Sequence, residues 1–264
     1  MAEDFGVRGR GKFYDQTGAV RDVIENHLFQ VLCNVAMEPP VREDSESIRD
    51  EKIKVLRAIS TLTPSDIVRG QFTGYQSEPG VAPDSKTETF AAVKLSINSW
   101  RWQGVPFFIR AGKNLPVTCT EIVVRFQPAP TMYERFKLGP NYFRFRLDPE
   151  ILVTTGMNVL APNTDTDAES VEMIAAQHLG GEAMTAYERV LTDALRGDPT
   201  LFARQDYVEE AWRIVDPVIK ADLPVYAYEP HSWGPHEVDR VTPPGGWVNP
   251  VVDVPSDGGS ARAE

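Results

Sequence analysis

Six short segments follow one another between residues 67 and 155: IVRGQFTGY, TFAAVKLSINSW, VPFFIRAG, EIVVRFQ, YFRFRLD and EILVTT. Each is rich in β-branched and aromatic residues and each is bounded by turn residues, so each reads as a strand. Helical periodicity does not intervene between them. Strand therefore follows strand, and the pattern predicts a large, mainly antiparallel, meandering sheet, because parallel pairing would need helical crossovers. Helical spacing is confined to the flanks, at residues 18–37, 47–60, 182–196 and 205–215. Helices on either side of a run of strands make the fold class α+β.

The remaining stretches read as connections. MAEDFGVRGRGKFYDQT reads as a strand end and a loop feeding the first helix. The stretch 77–89, SEPGVAPDSKTET, mixes proline, glycine and charge and is expected to be a mobile loop. A flexible tail is expected over 242–264, after a domain spanning 1–241.

Several functions are set aside by what the chain lacks. The run GVRGRG has neither a preceding apolar strand nor a following acidic ribose ligand, so it is not a dinucleotide fingerprint. A formal net charge of −11 argues against nucleic-acid or anionic-membrane surfaces, which need a basic footprint. Cys33 and Cys119 are too few for a disulfide framework, and His178, His231 and His236 show no metal-ligand spacing. No apolar run approaches the ~18 residues of a membrane span. The opening residues lack a signal-peptide core, and a cytoplasmic location is expected.

Candidate chemistry begins at residues 18–37. Val20, Val23, Ile24, His27, Leu28, Val31, Leu32 and Val35 share one face at α-helical spacing, which places His27 where leucine is expected. It is either a quiet core histidine or a general base kept neutral by partial burial. Asp22, five residues earlier, would be offset from it by about 140° on an α-helix, and could reach a common ligand or simply complement the helix dipole. In VPFFIRAGKNLP, Arg110 and Lys113 flank a glycine at a strand end, suiting a phosphorylated or hydroxyl-rich ligand or a solvated hairpin. Glu3 alone signifies nothing.

Taken together, EDFGVRGRGKFYDQTGAVRDVIENHLFQVLCNVAMEPP, RDEKIKVLRAI, GQFTGY, TFAAVKL, RWQGVPFFIRAGKNL, AYERVLTDALRGD, EAWRIVDP and WGP resemble the C-terminal domain of the glucose-6-phosphate dehydrogenase family, over nearly the whole chain. The resemblance implies that His27, the histidine of R-D-x-x-x-N-H, takes the proton of the sugar C1 hydroxyl as hydride leaves for NADP. It implies that Asp22 and Glu3 accept from sugar hydroxyls and that Lys113 donates to the substrate, glucose 6-phosphate. A homodimer through the sheet, or association with a full-length relative, is implied as well.

Departures accompany the match. The chain starts just before Glu3, so the family's coenzyme domain, with its glycine fingerprint, its E-K-P-F-G turn and its D-H-Y-L-G-K motif, is expected to be absent. Without it the isolated chain is not expected to turn over. Thr118 stands where many relatives have a basic substrate contact, and Asp148 where some have glutamine. Val123 breaks the basic pattern of a second, structural NADP site, which is not expected here. The alternative is a truncated, non-catalytic protein that binds sugar phosphate or joins an assembly.

Overall fold

A computed structural model describes residues 1–128, 139–160, 168–176 and 184–252. The chain forms two compact units, Met1–Pro116 with His178–Trp247, and Val117–Gln177 with Val248–Glu264. The α+β class holds. The run of strands is nevertheless divided between two four-stranded sheets, where the sequence predicts one continuous meander.

The first unit is built on β1 (Ile67–Phe72), β2 (Phe90–Ser96), β3 (Pro106–Gly112) and β8 (Val225–Tyr228), in the order β3-β2-β1-β8. β8 lies parallel to β1 while the other pairs are antiparallel. The sequence does not signal this strand, because VYAY is too short to stand out from its surroundings. Strand alternation on β2 explains why both faces of this sheet are covered. Ala91, Val93 and Leu95 join the helices in one apolar cluster, and Phe90 and Ala92 join Phe72, Tyr75 and Tyr228 in another.

Five α-helices accompany this sheet among the described residues: α1 (Gly11–Ala19), α2 (Phe29–Ala36), α3 (Ser45–Arg57), α4 (Ala186–Arg196) and α5 (Gln205–Lys220). Asp44 caps α3 by accepting from the Ser47 amide at 2.9 Å. At the other end Arg213 of α5 donates to the Leu56 and Ile59 carbonyls at 2.9 and 2.8 Å, satisfying acceptors that a helix terminus leaves open. α1 corrects the reading of residues 11–17 as a loop. Its glycine-rich entry is required by tertiary packing, since a Cβ on Gly11 would lie 2.3 Å from the Pro79 carbonyl oxygen.

Residues 77–89 are pinned and not free. Asp15 accepts from the Tyr75 hydroxyl at 3.2 Å, from the Ala82 amide at 3.1 Å and from the Ser85 hydroxyl. Thr87 donates to the Asp15 carbonyl at 2.7 Å. From the expected tail, Trp247 packs edge-on to Phe108. Residues 253–264 lie outside the described residues, as does His178.

The second unit is an all-antiparallel sheet, β4 (Thr120–Arg125), β5 (Tyr142–Asp148), β6 (Leu152–Leu160) and β7 (Ala168–Ala176). Its register aligns Val124, Phe143, Thr155 and Met173 in one row, and Ile122, Phe145, Val153 and Ala175 in the next. One face is therefore apolar across all four strands, and Phe143, Val153, Val171 and Met173 on it are exposed. The other face carries ion pairs of Arg144 and Arg146 with Glu121.

Candidate functional site

Between α1 and α2 the helix is of the π type, from Val20 to Leu28. The Phe29 amide donates to the Ile24 carbonyl, five residues back instead of four. Gly18 breaks the path from α1 with φ of +71°, and a Cβ there would lie 2.6 Å from a Glu88 oxygen, so only glycine fits. The π turn changes which side chains share a face. Val20, Val23, Ile24 and Leu28 are buried, whereas His27 is exposed and Val35 is 37% exposed. The expectation of a partly buried His27 in the apolar stripe is thus corrected. The same geometry narrows the 140° offset expected on an α-helix, because a turn closed by i→i+5 bonds is wider and holds more residues.

Glu3 is brought to Lys113 by the pairing of the N-terminal segment with the end of β3. The Glu3 amide donates to the Gly112 carbonyl at 3.0 Å, and the Leu115 amide donates to the Glu3 carbonyl at 2.9 Å. Lys113 is held at its backbone as well, its amide donating to Thr89 at 2.9 Å and its carbonyl accepting from the Tyr228 hydroxyl at 2.7 Å. Its ammonium then reaches the Glu3 carboxylate at 2.5 Å, with both side chains largely shielded from water. The lysine nitrogen also lies 4.9 Å from the Tyr14 ring centre and 5.3 Å from that of Phe5.

Tyr14 is the residue that sequence reasoning missed. It is 3% exposed and its hydroxyl has no hydrogen-bond partner. Burial first, then the charges of Glu88, Tyr228, Asp22 and Glu3, hold its ionisation well above the usual range. One phenol therefore feels both carboxylates read as sugar ligands, with the Lys113 ammonium over its ring. Lys113 holds Glu3 and lies over the Tyr14 ring, and Asp22 and His27 are both carried by the π-helix Val20–Leu28. No periodicity could have flagged Tyr14, since it falls in the stretch read as a loop.

Arg110 and Lys113 part company. Arg110 is stacked between Trp233 and Trp247, 4.7 and 4.8 Å from their ring centres, and burial lowers its ionisation to about 10. Thr118, Val123 and Asp148 all fall in the second unit, with Asp148 exposed at the end of β5. Both cysteines are buried free thiols, Cys33 pushed up to about 12 mainly by burial. His231 donates its amide to the Asn114 carbonyl at 2.6 Å, and His236 is exposed. A cleft lined by Gln30, Arg49, Lys52 and Tyr207 shares no residue with the site.

The family model for the glucose-6-phosphate dehydrogenase C-terminal domain matches residues 1–247. The chain belongs to the glucose-6-phosphate dehydrogenase family. It is 43% identical over 240 residues to glucose-6-phosphate 1-dehydrogenase 1 of Mycobacterium bovis, covering 89% of this chain and 51% of the relative. It is 41% identical over 266 residues to the Aggregatibacter actinomycetemcomitans glucose-6-phosphate 1-dehydrogenase, covering 94% of this chain and 54% of that protein. The chain thus spans about half the length of these relatives. The crystal structure of the Mycobacterium avium enzyme superposes with a TM-score of 0.89 at 41% identity, covering 96% of this chain and 56% of that one. A glucose-6-phosphate dehydrogenase in complex with its substrate glucose-6-phosphate superposes with a TM-score of 0.84 at 32% identity, covering 95% and 55%.

The family implies NADP, and the described residues do not fit it. The parallel pair β1 and β8 offers no strand, glycine turn and helix in succession, since β1 runs through Gly74 into a three-residue helical turn.

Proposed function

We propose that this chain is the substrate-binding half of a glucose-6-phosphate dehydrogenase, the 1–241 stretch forming that domain. In this reading Glu3 and Asp22 accept from the sugar hydroxyls and Lys113 donates to the substrate. His27 takes the proton of the C1 hydroxyl as hydride departs. The observation that carries the reading is the shielded Glu3–Lys113 ion pair with its ammonium over the buried Tyr14 ring, beside a π-helix that bears both Asp22 and His27. His27 is exposed and open to a substrate hydroxyl, while a shielded ammonium and carboxylate orient the pyranose. Oxidation of the sugar to the 6-phosphogluconolactone with NADP as acceptor is the activity of the whole enzyme in this reading. The pentose phosphate pathway and the cytoplasm are its setting.

The test is calorimetric titration of the chain with glucose 6-phosphate, beside Lys113→Ala, and NADP reduction at 340 nm with His27→Ala as control. Binding lost in Lys113→Ala supports the reading. No binding to the unaltered chain refutes it and leaves the assembly reading. That second reading has its own support in the apolar face of the second sheet, which crosses four strands and leaves Phe143 and Met173 exposed. A homodimer through this face, or pairing with a full-length relative, would cover it.

A further inference from the structure

We propose that Glu88 is a positioning residue, one that sets the start and the angular phase of the π-helix carrying Asp22 and His27. The inference rests on the substrate reading of those two residues. Glu88 is 4% exposed and grips the helix start twice. Its backbone carbonyl accepts from the Ala19 amide at 2.9 Å, and its carboxylate oxygen Oε1 accepts from the Val20 amide at 3.1 Å. Ala19 and Val20 are themselves buried, so these two amides have no recourse to water.

Two successive amides bound to one residue leave the helix start little freedom to slide or to rotate. A slip by one residue would shift Asp22 along the π-helix and would turn His27 with it. The carboxyl group also faces the positive end of the helix. Its second oxygen lies 3.6 Å from Arg69 Nη1, and the Arg69 Nη2 donates to the Leu223 carbonyl, which anchors the pair to the rest of the unit. Gly18 completes the device by leaving room for the carboxylate where any Cβ would intrude. Burial raises the ionisation of Glu88, with the Val20 amide, Arg69 and Arg21 opposing the rise.

The experiment uses the full chain with Glu88→Ala, Glu88→Gln, Gly18→Ala and, as a control of lost stability elsewhere, Arg213→Met. Glucose 6-phosphate affinity is measured by calorimetry, the His27 ring-proton resonances and amide exchange over residues 20–29 by NMR, and the thermal midpoint by circular dichroism. Glu88→Ala is expected to weaken affinity about tenfold, the equivalent of one charge-assisted hydrogen bond, to shift the His27 resonances and to speed exchange. Glu88→Gln, which keeps an acceptor for Val20, restores all three to within about twofold, and Arg213→Met lowers the midpoint alone. Unchanged His27 resonances and affinity in a folded Glu88→Ala overturn the proposal. Should that variant not fold, Gly18→Ala decides, because displacing the carboxylate must reproduce the loss, and a folded Gly18→Ala identical to the parent refutes it. If the unaltered chain binds no glucose 6-phosphate, the substrate reading fails by itself, and the resonances and exchange rates still judge Glu88.

Discussion

Glu25 sits inside the π-helix, 7% exposed, and its removal from water lifts its carboxyl from 4.5 to about 7. Above about pH 7 the folded chain must hold a charged carboxylate there, whereas below 4.5 the group is protonated whether folded or not. Raising the folded value therefore leaves stability intact at low pH and removes it as the pH climbs through that window. At about 1.36 kcal/mol per decade, the full penalty is about 3 kcal/mol. Glu25→Gln keeps the shape and removes the ionisation. Its stability relative to the parent is expected to rise by about 3 kcal/mol between pH 4 and pH 8 and to level off beyond, because only the parent titrates. Urea unfolding followed by tryptophan fluorescence reads this directly, and thermal midpoints should diverge by roughly 6–12 °C over the same range. A difference between the two proteins that stays flat from pH 4 to pH 8 would refute the reasoning, since it would mean that the carboxylate finds solvent or a cation when charged.

Other outcomes follow from the same geometry. Burial works to raise the Asp15 ionisation, yet the hydrogen bonds from Ser85, Ala82, Tyr75 and Thr87 together hold it below its ordinary range. The loop at 77–89 is therefore expected to loosen in acid, its anchoring present above the unfolded carboxyl value and lost as pH falls through the lowered one, and Asp15→Ala should cost about 1–2 kcal/mol at neutral pH and expose the loop to protease. Met173→Glu places a charge in the apolar row of the second sheet, 60% exposed in the parent, and is expected to convert the proposed homodimer to monomer in light scattering with little loss of fold. An unchanged mass would exclude that face as the interface. Ile24→Ala empties a fully buried position and should cost about 2–5 kcal/mol in urea unfolding, with a smaller value implying that the π-helix relaxes to refill the space.

The family and the α+β class were legible because both are written in local order. β-branched runs bounded by turns declare strands, and motifs in a fixed succession declare kinship, without reference to what packs on what. Glu3, Asp22, Lys113 and His27 could be nominated in the same way, each by its place in a motif. Lys113 and Glu3 lie 110 positions apart, however, and only the pairing of the N-terminal segment with Gly112 turns two unremarkable charges into an ion pair at 2.5 Å.

What tertiary structure alone decided is the phase of the helix and the partition of the strands. Apolar spacing over 18–37 fits an α-helix with His27 in its stripe, and nothing in that spacing shows the i→i+5 bonding of a helix that leaves His27 at the surface. The cause lies outside the helix, in Gly18 and in Glu88 gripping the first amides from another part of the chain. Likewise the strand segments alike in composition went to two sheets, because β2 had helices and aromatic rings to cover both its faces while β4 to β7 kept one apolar face exposed. Local sequence determined which residues could be strand, helix or ligand. Hydrogen bonds and burial between distant segments determined which of them meet, since those terms exist only once the chain has closed on itself.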